Sequence, residues 1–416
     1  LERHIVEPSP SSVPSHDVGA PASVTDRFKA FRQKHHVSFE LAFFFAGFVF
    51  DVVLLHRIDS TPLLIHQACY LVLSAVLIFL DHRLAVVGRE PAGFWGKVAS
   101  YRLWVMHFFL GTLLNAFMVF YFRASSGVLS LIFLMALAGL IIANESPRFR
   151  QQGPIVRVAL LSFATTSFLA YLLPVVFGVL STWQYYVAVT LGALVTLALW
   201  RLSVAFVRDP HWTVRRAVIP GLALQAALFL LYLVGAIPPV PLSLKHIGVY
   251  ERVVSFRDES GIHYAVHYQP APEWQFWRRD ASAFIASPEG VCLARPKFDL
   301  TETPCLVDAD CGSEGLCSAK RVWAFVRIFA PARFKDQVSF EWAFDDPSRG
   351  WVTRGKPYRS ALSGGSEEGY RTFAYSTVDK AGSYRVRVLT EDGREIGRHT
   401  FEASIGSPPP ARMAEE

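Results

Sequence analysis

Charge is what this 416-residue chain has least of: Asp, Glu, Lys and Arg together make up 18% of it, while 52% is hydrophobic. That balance excludes an average soluble protein, and the length allows several cores. Common enzyme signatures are missing too. There is no Gly-x-Ser-x-Gly elbow, no His-Glu-x-x-His, no Gly-Lys-Ser/Thr phosphate loop and no dinucleotide fingerprint after a strand. No catalytic residue, cofactor or metal ligand is expected. The net charge of +6 invites a nucleic-acid reading, but 18 Lys/Arg against 11 Asp/Glu precede Leu244 and 23 against 24 follow it. The excess lies wholly in the apolar half, so nucleic acid drops out as a partner and a lipid bilayer takes its place.

Five cysteines are present, with Cys69 inside an apolar run and Cys292, Cys305, Cys311 and Cys317 clustered in the second half. No histidine lies between Cys292 and Cys317, and the C-x5-C-x5-C spacing lacks the close pairs of a zinc site. Two disulfides are the expectation, with three pairings open.

What is abundant is apolar sequence in long runs. Residues 1–25 have no periodic apolar pattern and are expected to be disordered. A basic stretch, Arg27, Lys29, Arg32 and Lys34, precedes the first run, which lacks a cleavage signature and reads as a retained anchor. Seven candidate spans follow: Phe39 to His56, Leu63 to Leu80, Leu103 to Phe122, Val128 to Ala143, Ile155 to Leu180, Tyr185 to Leu199 and Val218 to Ile237. The fourth and sixth fall short of the roughly 20 residues a span needs. With the N-terminus inside, the inner loops carry Arg83, Arg89, Lys97, Arg102, Arg148, Arg150, Arg157, Arg201, Arg208, Arg215 and Arg216. The outer turns carry only Arg57 and Arg123. This is the asymmetry that the positive-inside rule gives for seven spans. It places the second half outside, where disulfides persist.

Ile237-Pro238-Pro239-Val240-Pro241-Leu242 ends the apolar part; three prolines exclude a continuing helix and predict a stiff extended strap. Beyond it come Tyr250 to Phe256, Ile262 to Tyr268, Val322 to Phe329, Val338 to Phe344, Thr372 to Ser376, Tyr384 to Leu389 and Glu395 to Phe401. These runs are short, rich in β-branched and aromatic residues, and separated by Gly, Pro and Asp, which predicts an all-β sandwich.

Among candidate functional residues, Asp51 stands out, since a carboxylate in an apolar span faces a partner or a water-filled cavity. Asp51 and His66 belong to consecutive antiparallel helices and sit roughly 8 Å below the same outer turn. Their contact would hold two helices together or form a proton or ion site; His56 and Asn115 are alternative partners. Glu40, Asp81, His82, His107, Asn144 and Glu145 fall near the inner face and read as solvated helix ends. Asp308, Asp310 and Glu314 match no EF-hand spacing and read as an exposed acidic disulfide loop. Trp274, Trp277, Trp323, Trp342 and Trp351, with Tyr358 and Tyr370, make the outer half strongly aromatic. Trp274-x-x-Trp277-Arg278-Arg279 lies in an expected loop and would pack on the sandwich, dip into the membrane interface or stack on a glycan.

Gly47-Phe48-Val49-Phe50-Asp51, Arg57-Ile58-Asp59, Asn144-Glu145 and Ile237-Pro238-Pro239-Val240-Pro241-Leu242-Ser243-Leu244-Lys245 resemble an uncharacterised family of bacterial polytopic inner-membrane proteins. In that family a C-terminal periplasmic domain of unknown function follows the helices. The resemblance continues through Trp342, Gly350-Trp351, Gly364-Gly365, Gly369-Tyr370-Arg371, Gly382, Arg385-Val386, Gly393-Arg394-Glu395-Ile396-Gly397-Arg398 and Phe401. Ser366 departs from it, standing where Arg would follow the Gly-Gly pair, and the loop from Cys305 to Cys317 resembles an insertion. The family implies a fold and a location but no activity.

The expected organisation is a cytoplasmic lead (1–37), seven transmembrane helices (38–237), a Pro-rich strap (238–249), a periplasmic all-β, sandwich-like (Ig-like) domain (250–404) with a disulfide loop (292–317), and a disordered tail (405–416). The expected role is envelope binding, sensing or scaffolding, with another envelope protein or a glycan as partner. Gly364, Gly365, Tyr370, Arg371, Trp274 and Trp277 form the candidate binding face. The alternatives are an ion- or proton-coupled transporter using Asp51 and His66, and a membrane enzyme acting on lipid or glycan.

Overall fold

Apolar residues all round a helix leave no polar face for water, which suits a core or a bilayer. The computed structural model describes residues 58–87, 96, 101–145, 154–207, 218–258, 261–271, 283–294, 299–313 and 315–415. Among these residues six α-helices precede the β region: α1 (Thr61–Val87), α2 (Arg102–Ala124), α3 (Val128–Glu145), α4 (Pro154–Phe177), α5 (Thr182–Val207) and α6 (Ile219–Leu233).

Four of them are long and apolar enough to cross a membrane, while Val128–Asn144 and Ile219–Leu233 are shorter. The expectation of seven spans is corrected to that extent, and its first run, 39–56, lies outside the described residues. The sixth run is no stub, because the flanks of Tyr185 to Leu199 continue the helix in both directions to 26 residues. The last run is the short one. Gly235 at φ +71° closes α6 with Gly235 N–H donating to Tyr232 O (3.0 Å) and Ala236 N–H to Leu231 O (2.9 Å), a Schellman ending.

Burial separates centre from rim: 61% and 67% of the spans in α2 and α4 are buried, against 17% and 22% in α1 and α5. The outward faces stay apolar, with Ile65, Val72 and Val76 on α1, Leu131, Ile132 and Met135 on α3, and Leu230 and Leu233 on α6 all exposed. A surface of that kind belongs against lipid or protein, not water. Inside the bundle, polar groups tie α4, α5 and α6 together. Gln225 Nε2 donates to Ser162 Oγ (2.7 Å), Ser162 Oγ to Gly192 O (2.9 Å) and Thr166 Oγ1 to Gln225 Oε1 (2.8 Å). A side chain at Gly192 would collide with Thr166 and Gln225, so the small residue permits the close approach.

The β region begins with β1 (Ser243–Tyr250), β2 (Arg252–Asp258) and β3 (Gly261–Tyr268), then β4 (Ala283–Ala286), β5 (Gly290–Ala294), β6 (Asp299–Cys305) and β7 (Gly315–Cys317). It continues through β8 (Arg321–Phe329), β9 (Lys335–Asp346), β10 (Gly350–Ser363), β11 (Tyr370–Thr377), β12 (Gly382–Thr390), β13 (Glu395–Ile405) and β14 (Arg412–Glu415). One sheet runs β1-β8-β11 and a second β10-β9-β12-β13-β4. They share a core in which Val322, Ala324, Val326 and Ile328 of β8 meet Val338, Phe340, Trp342, Val386 and Phe401 of the other sheet. Strand alternation sends the intervening Trp323 and Phe325 into a second core with Tyr250, Val253, Val266, Leu293 and Leu316. Burial on both faces therefore makes β8 the strand on which the β region is built.

Two expectations change here. The tail is not structureless, since Arg412–Glu415 adds β14 to β3. Nor is the proline tract extended. Val240 N–H donates to Pro238 O (2.9 Å) and Leu242 N–H to Pro239 O (3.0 Å), folding the tract into tight turns around a cis Val240–Pro241 bond. Residues 237–242 are all buried, so apolar side chains, not chain stiffness, fix them.

Candidate functional site

The places where helices meet strands carry polar residues that neither half needs for its own core. Loop 330–335 lies against the end of α4 and the start of α1. Lys335 N–H donates to Gly178 O (2.7 Å), and Leu180 N–H to Asp336 Oδ2 (3.1 Å). Ala332 N–H donates to Asp59 Oδ2 (2.8 Å). Gly178 has φ +71°, and a Cβ there would come within 2.7 Å of Arg333 O, so the close approach requires glycine. Leu180 and Leu242 complete the docking by entering the β core.

The β12–β13 turn makes the second contact. Asp392 pairs with Arg394 (2.9 Å), both side chains being about one-seventh exposed or less, at 14% and 13%. The same carboxylate accepts bonds from Thr182 Oγ1 and Tyr232 OH (3.5 Å each). The Arg394 guanidinium lies over the Tyr232 ring at 5.1 Å, and Tyr232 stacks on Tyr185 at 4.0 Å. Ser126 Oγ reaches Glu395 O (3.2 Å). Two clefts flank the proline tract at this joint, one of about 600 Å³ beside Arg387, Arg394 and Arg398, the other of about 470 Å³ beside Arg123 and Lys245.

Electrostatics at the joint lean on carboxylates. Burial raises the Asp336 carboxyl above the ordinary range, opposed by bonds from Gln337 and Leu180 N–H and reinforced by the nearby Glu391 and Asp392.

A second polar group sits at the other end of the bundle, about 30 Å away by the rise of α1. Asp81 lies between Arg102 Nε (2.8 Å) and Arg157, whose side chains are 17% and 8% exposed. His107 Nδ1 and Asn144 Oδ1 are 3.1 Å apart, and His82, His107 and Asn144 are buried. The reading of these as solvated helix ends is corrected, because neighbouring helices cover them.

The candidate residues are not gathered in one place. Asp51, Trp274 and Trp277 lie outside the described residues. His66 is exposed on α1 and packs on Tyr70 (4.1 Å between rings), while Asn115 is buried in α2. The Gly364–Gly365 turn braces the docking loop. Gly364 N–H donates to Phe334 O (2.8 Å), Gly365 N–H to Ala330 O (3.2 Å), and a Cβ on Gly364 would collide with Pro331 O. Tyr370 packs against the main core, and Arg371 pairs with Glu368. The cysteines join as Cys292–Cys311 and Cys305–Cys317. Asp308 and Asp310 serve that loop: Asp310 Oδ2 accepts from Leu306 (2.7 Å) and Val307 (3.0 Å) N–H, which lowers its carboxyl, and Asp308 Oδ1 accepts from Cys317 N–H (2.9 Å).

Sequence reasoning did not identify Asp59, Leu180, Thr182, Tyr232, Asp336 and Asp392 as a joint. The available signals were the Arg57-Ile58-Asp59 and Gly393-Arg394-Glu395 stretches, whose Asp59 meets the docking loop and whose Arg394 meets Tyr232.

Residues 335–403 match the family described as "Protein of unknown function (DUF2914)", so the C-terminal part carries a domain of an uncharacterised family. No curated protein matches the chain. Among solved structures, Pseudomonas fluorescens alkylpurine DNA glycosylase AlkC bound to DNA containing an abasic site analog is similar at 12% identity, over 84% of this chain and 99% of that one. Its TM-score is 0.19, too low to carry any argument about fold or activity.

Proposed function

We propose that this is a multi-pass protein of a bacterial inner membrane that holds an Ig-like β domain against the periplasmic face, for binding, sensing or scaffolding in the envelope. The observation that carries the reading is the joint: Leu180 and Leu242 enter the β core, and the Asp392–Arg394 pair closes on Tyr232 and Thr182. A domain tethered for reach alone needs a flexible linker; one docked at several points passes a tilt or rotation to the helices, or receives one. The arginine asymmetry of the loops and the pairing of the cysteines support an outer β domain. Another envelope protein or a glycan is the proposed partner.

The test combines topology with capture. Phosphatase fused after Glu416 should be active and green fluorescent protein there dark, and photo-crosslinkers on the β domain should trap the same envelope component from growing cells. Active fluorescence at Glu416, or crosslinks indistinguishable from those of a β domain carrying Arg371→Ala and Gly364→Ala, would sink the reading.

Ion- or proton-coupled transport is the second reading. It draws support from the buried polar group around Asp81, His107 and Asn144, since ionisable residues inside a bundle mark pathways. It requires a pH-dependent flux in liposomes that Asp51→Asn and Asp81→Asn each abolish, and an inert, folded protein there counts against it.

A further inference from the structure

Strand alternation turns one face of the β10-β9-β12-β13-β4 sheet away from the core, and the charges there do not balance. Arg385 and Arg387 of β12 stand beside Ala343 and Glu341 of β9, and Arg387 stands opposite Arg398 of β13. Glu341 has both oxygens engaged, Oε2 accepting from Arg387 and Oε1 from Thr353 Oγ1 (3.0 Å). Glu395 likewise holds Arg398 through both oxygens (2.6 and 2.9 Å). Arg385 is the third cation against two carboxylates. Among the described residues no carboxylate pairs with it, its Nε is buried without an acceptor, and its guanidinium lies 4.3 Å from the centre of the Trp351 ring. Burial, then the nearby Arg387 and Arg398, lower its guanidinium from the ordinary value, opposed by Glu395 and Glu341.

We infer that this face binds a glycan carrying carboxylates, a sugar ring resting on Trp351 while its carboxylate pairs with Arg385. The inference deepens, and rests on, the reading of a glycan as the partner of the β domain. A planar guanidinium with no carboxylate of its own matches a carboxylate in a forked pair, and an incoming negative charge relieves the crowding of three arginines. Trp351 is 38% exposed even with the guanidinium against it, which leaves ring surface for a second flat partner. Thr400, opposite Arg385 on β13, adds an exposed hydroxyl. An acidic peptide fits less well. Strand addition needs a regular edge, and β10 breaks its own with Gly355, Lys356 and Pro357 between Arg354 and Tyr358. The site is separate from the joint, since Arg385 lies five residues, about 17 Å, along β12 from its Thr390 end.

The test is isothermal titration calorimetry of the full chain in non-ionic detergent with hexagalacturonate, its methyl ester and hexaglutamate. Hexagalacturonate should bind, and the uncharged ester should bind about tenfold more weakly or not at all. Arg385→Gln should weaken hexagalacturonate about tenfold and Trp351→Ala about fivefold. Because burial and like charge already disfavour the Arg385 cation, Arg385→Gln should melt no lower than wild type. Arg359→Gln, elsewhere on the same exposed face, should leave binding unchanged. No binding of hexagalacturonate, equal binding of the ester, or wild-type binding by Arg385→Gln overturns the site. An equal loss from Arg359→Gln overturns it as diffuse attraction, and hexaglutamate binding as tightly as hexagalacturonate overturns the glycan in favour of an acidic peptide. Each of these leaves the envelope reading standing. Fluorescence of the fusion at Glu416 would sink that reading by a measurement in which no glycan takes part.

Discussion

The guanidinium of Arg394 lies 5.1 Å from the centre of the Tyr232 ring, so an arginine from a β-turn covers the last turn of a helix far earlier in the chain. Asp392 pairs with the same arginine (2.9 Å) and accepts from Tyr232 OH (3.5 Å) as well. The Asp392–Arg394 pair is local to the turn, whereas its contacts with Tyr232 exist only while the β region is docked.

Removing one member should therefore cost more than the surface position of the turn implies. Arg394→Ala leaves the largely buried Asp392 carboxylate without its cation, and about 3 kcal/mol of stability should be lost. Thermal unfolding in detergent, with Arg349→Ala on the exposed β9–β10 turn as control, measures it. Equal melting temperatures for the two variants would show that the pair is ornamental.

Gly364→Ala tests the brace behind the docking loop. The added methyl meets the Pro331 carbonyl, so the loop that carries Ala332 and Phe334 has to move. A loss of about 2–3 kcal/mol is expected. Gly350→Ala, at φ +69° with open space around it, should cost only about 1 kcal/mol. Denaturant titration of both variants gives the comparison, and a Gly364→Ala protein as stable as Gly350→Ala would remove the brace from the account.

Local signals in the sequence reached the elements whose own residues decide them. Val322 to Phe329 and Tyr384 to Leu389 were legible because buried strands are apolar at every second residue or more. β10 was not, since an exposed edge strand has no need of apolar alternation, and Pro357 with Gly355 (φ +66°) sits in its register break between Arg354 and Tyr358. β1 was hidden for another reason: it follows the prolines directly, and composition alone assigned it to the strap. The joint was unreadable because its partners lie far apart in sequence, as with Asp59 and Ala332, and no local spacing announces such a meeting. Asp81 was misjudged likewise, its two arginines coming from separate helices.

The crossed disulfides Cys292–Cys311 and Cys305–Cys317 close loops with sequence separations of 19 and 12. Loops of that size contribute about 3 kcal/mol each. Digestion under non-reducing conditions with trypsin and a protease that cuts after both Glu and Asp separates all four cysteines, and mass spectrometry should find Cys292 linked to Cys311. A Cys292–Cys305 peptide, or no linked peptide at all, would contradict the fold of β5, β6 and β7.

Asp336 sets a pH dependence. Burial raises its folded carboxyl above the unfolded value, so the folded state holds a proton that the unfolded state has released. The group's contribution is therefore most favourable below the unfolded value and is lost as pH rises through the folded one. Asp336→Asn keeps an oxygen for Leu180 N–H and removes the desolvated charge. The variant should melt higher than wild type at pH 7, and the gap should close as pH falls through the carboxylate range. A gap independent of pH would mean that the Asp336 charge is not what burial penalises.

Cys69 offers the last test, this time of the bilayer itself. It is the free thiol beside two disulfides, it is exposed on α1, and it lies eight residues into that helix, about 12 Å from the β-domain end. Exposure ordinarily means reactivity. If lipid covers the face formed by Ile65, Val72 and Val76, a membrane-impermeant maleimide should leave Cys69 unlabelled in intact membranes and modify it once detergent and denaturant expose the helix. The disulfide-bonded cysteines are silent in both conditions unless reduced, so the signal belongs to one residue. Rapid labelling in sealed, untreated membranes would put water against α1, and the helices would then have to be read as the core of a larger assembly and not as spans.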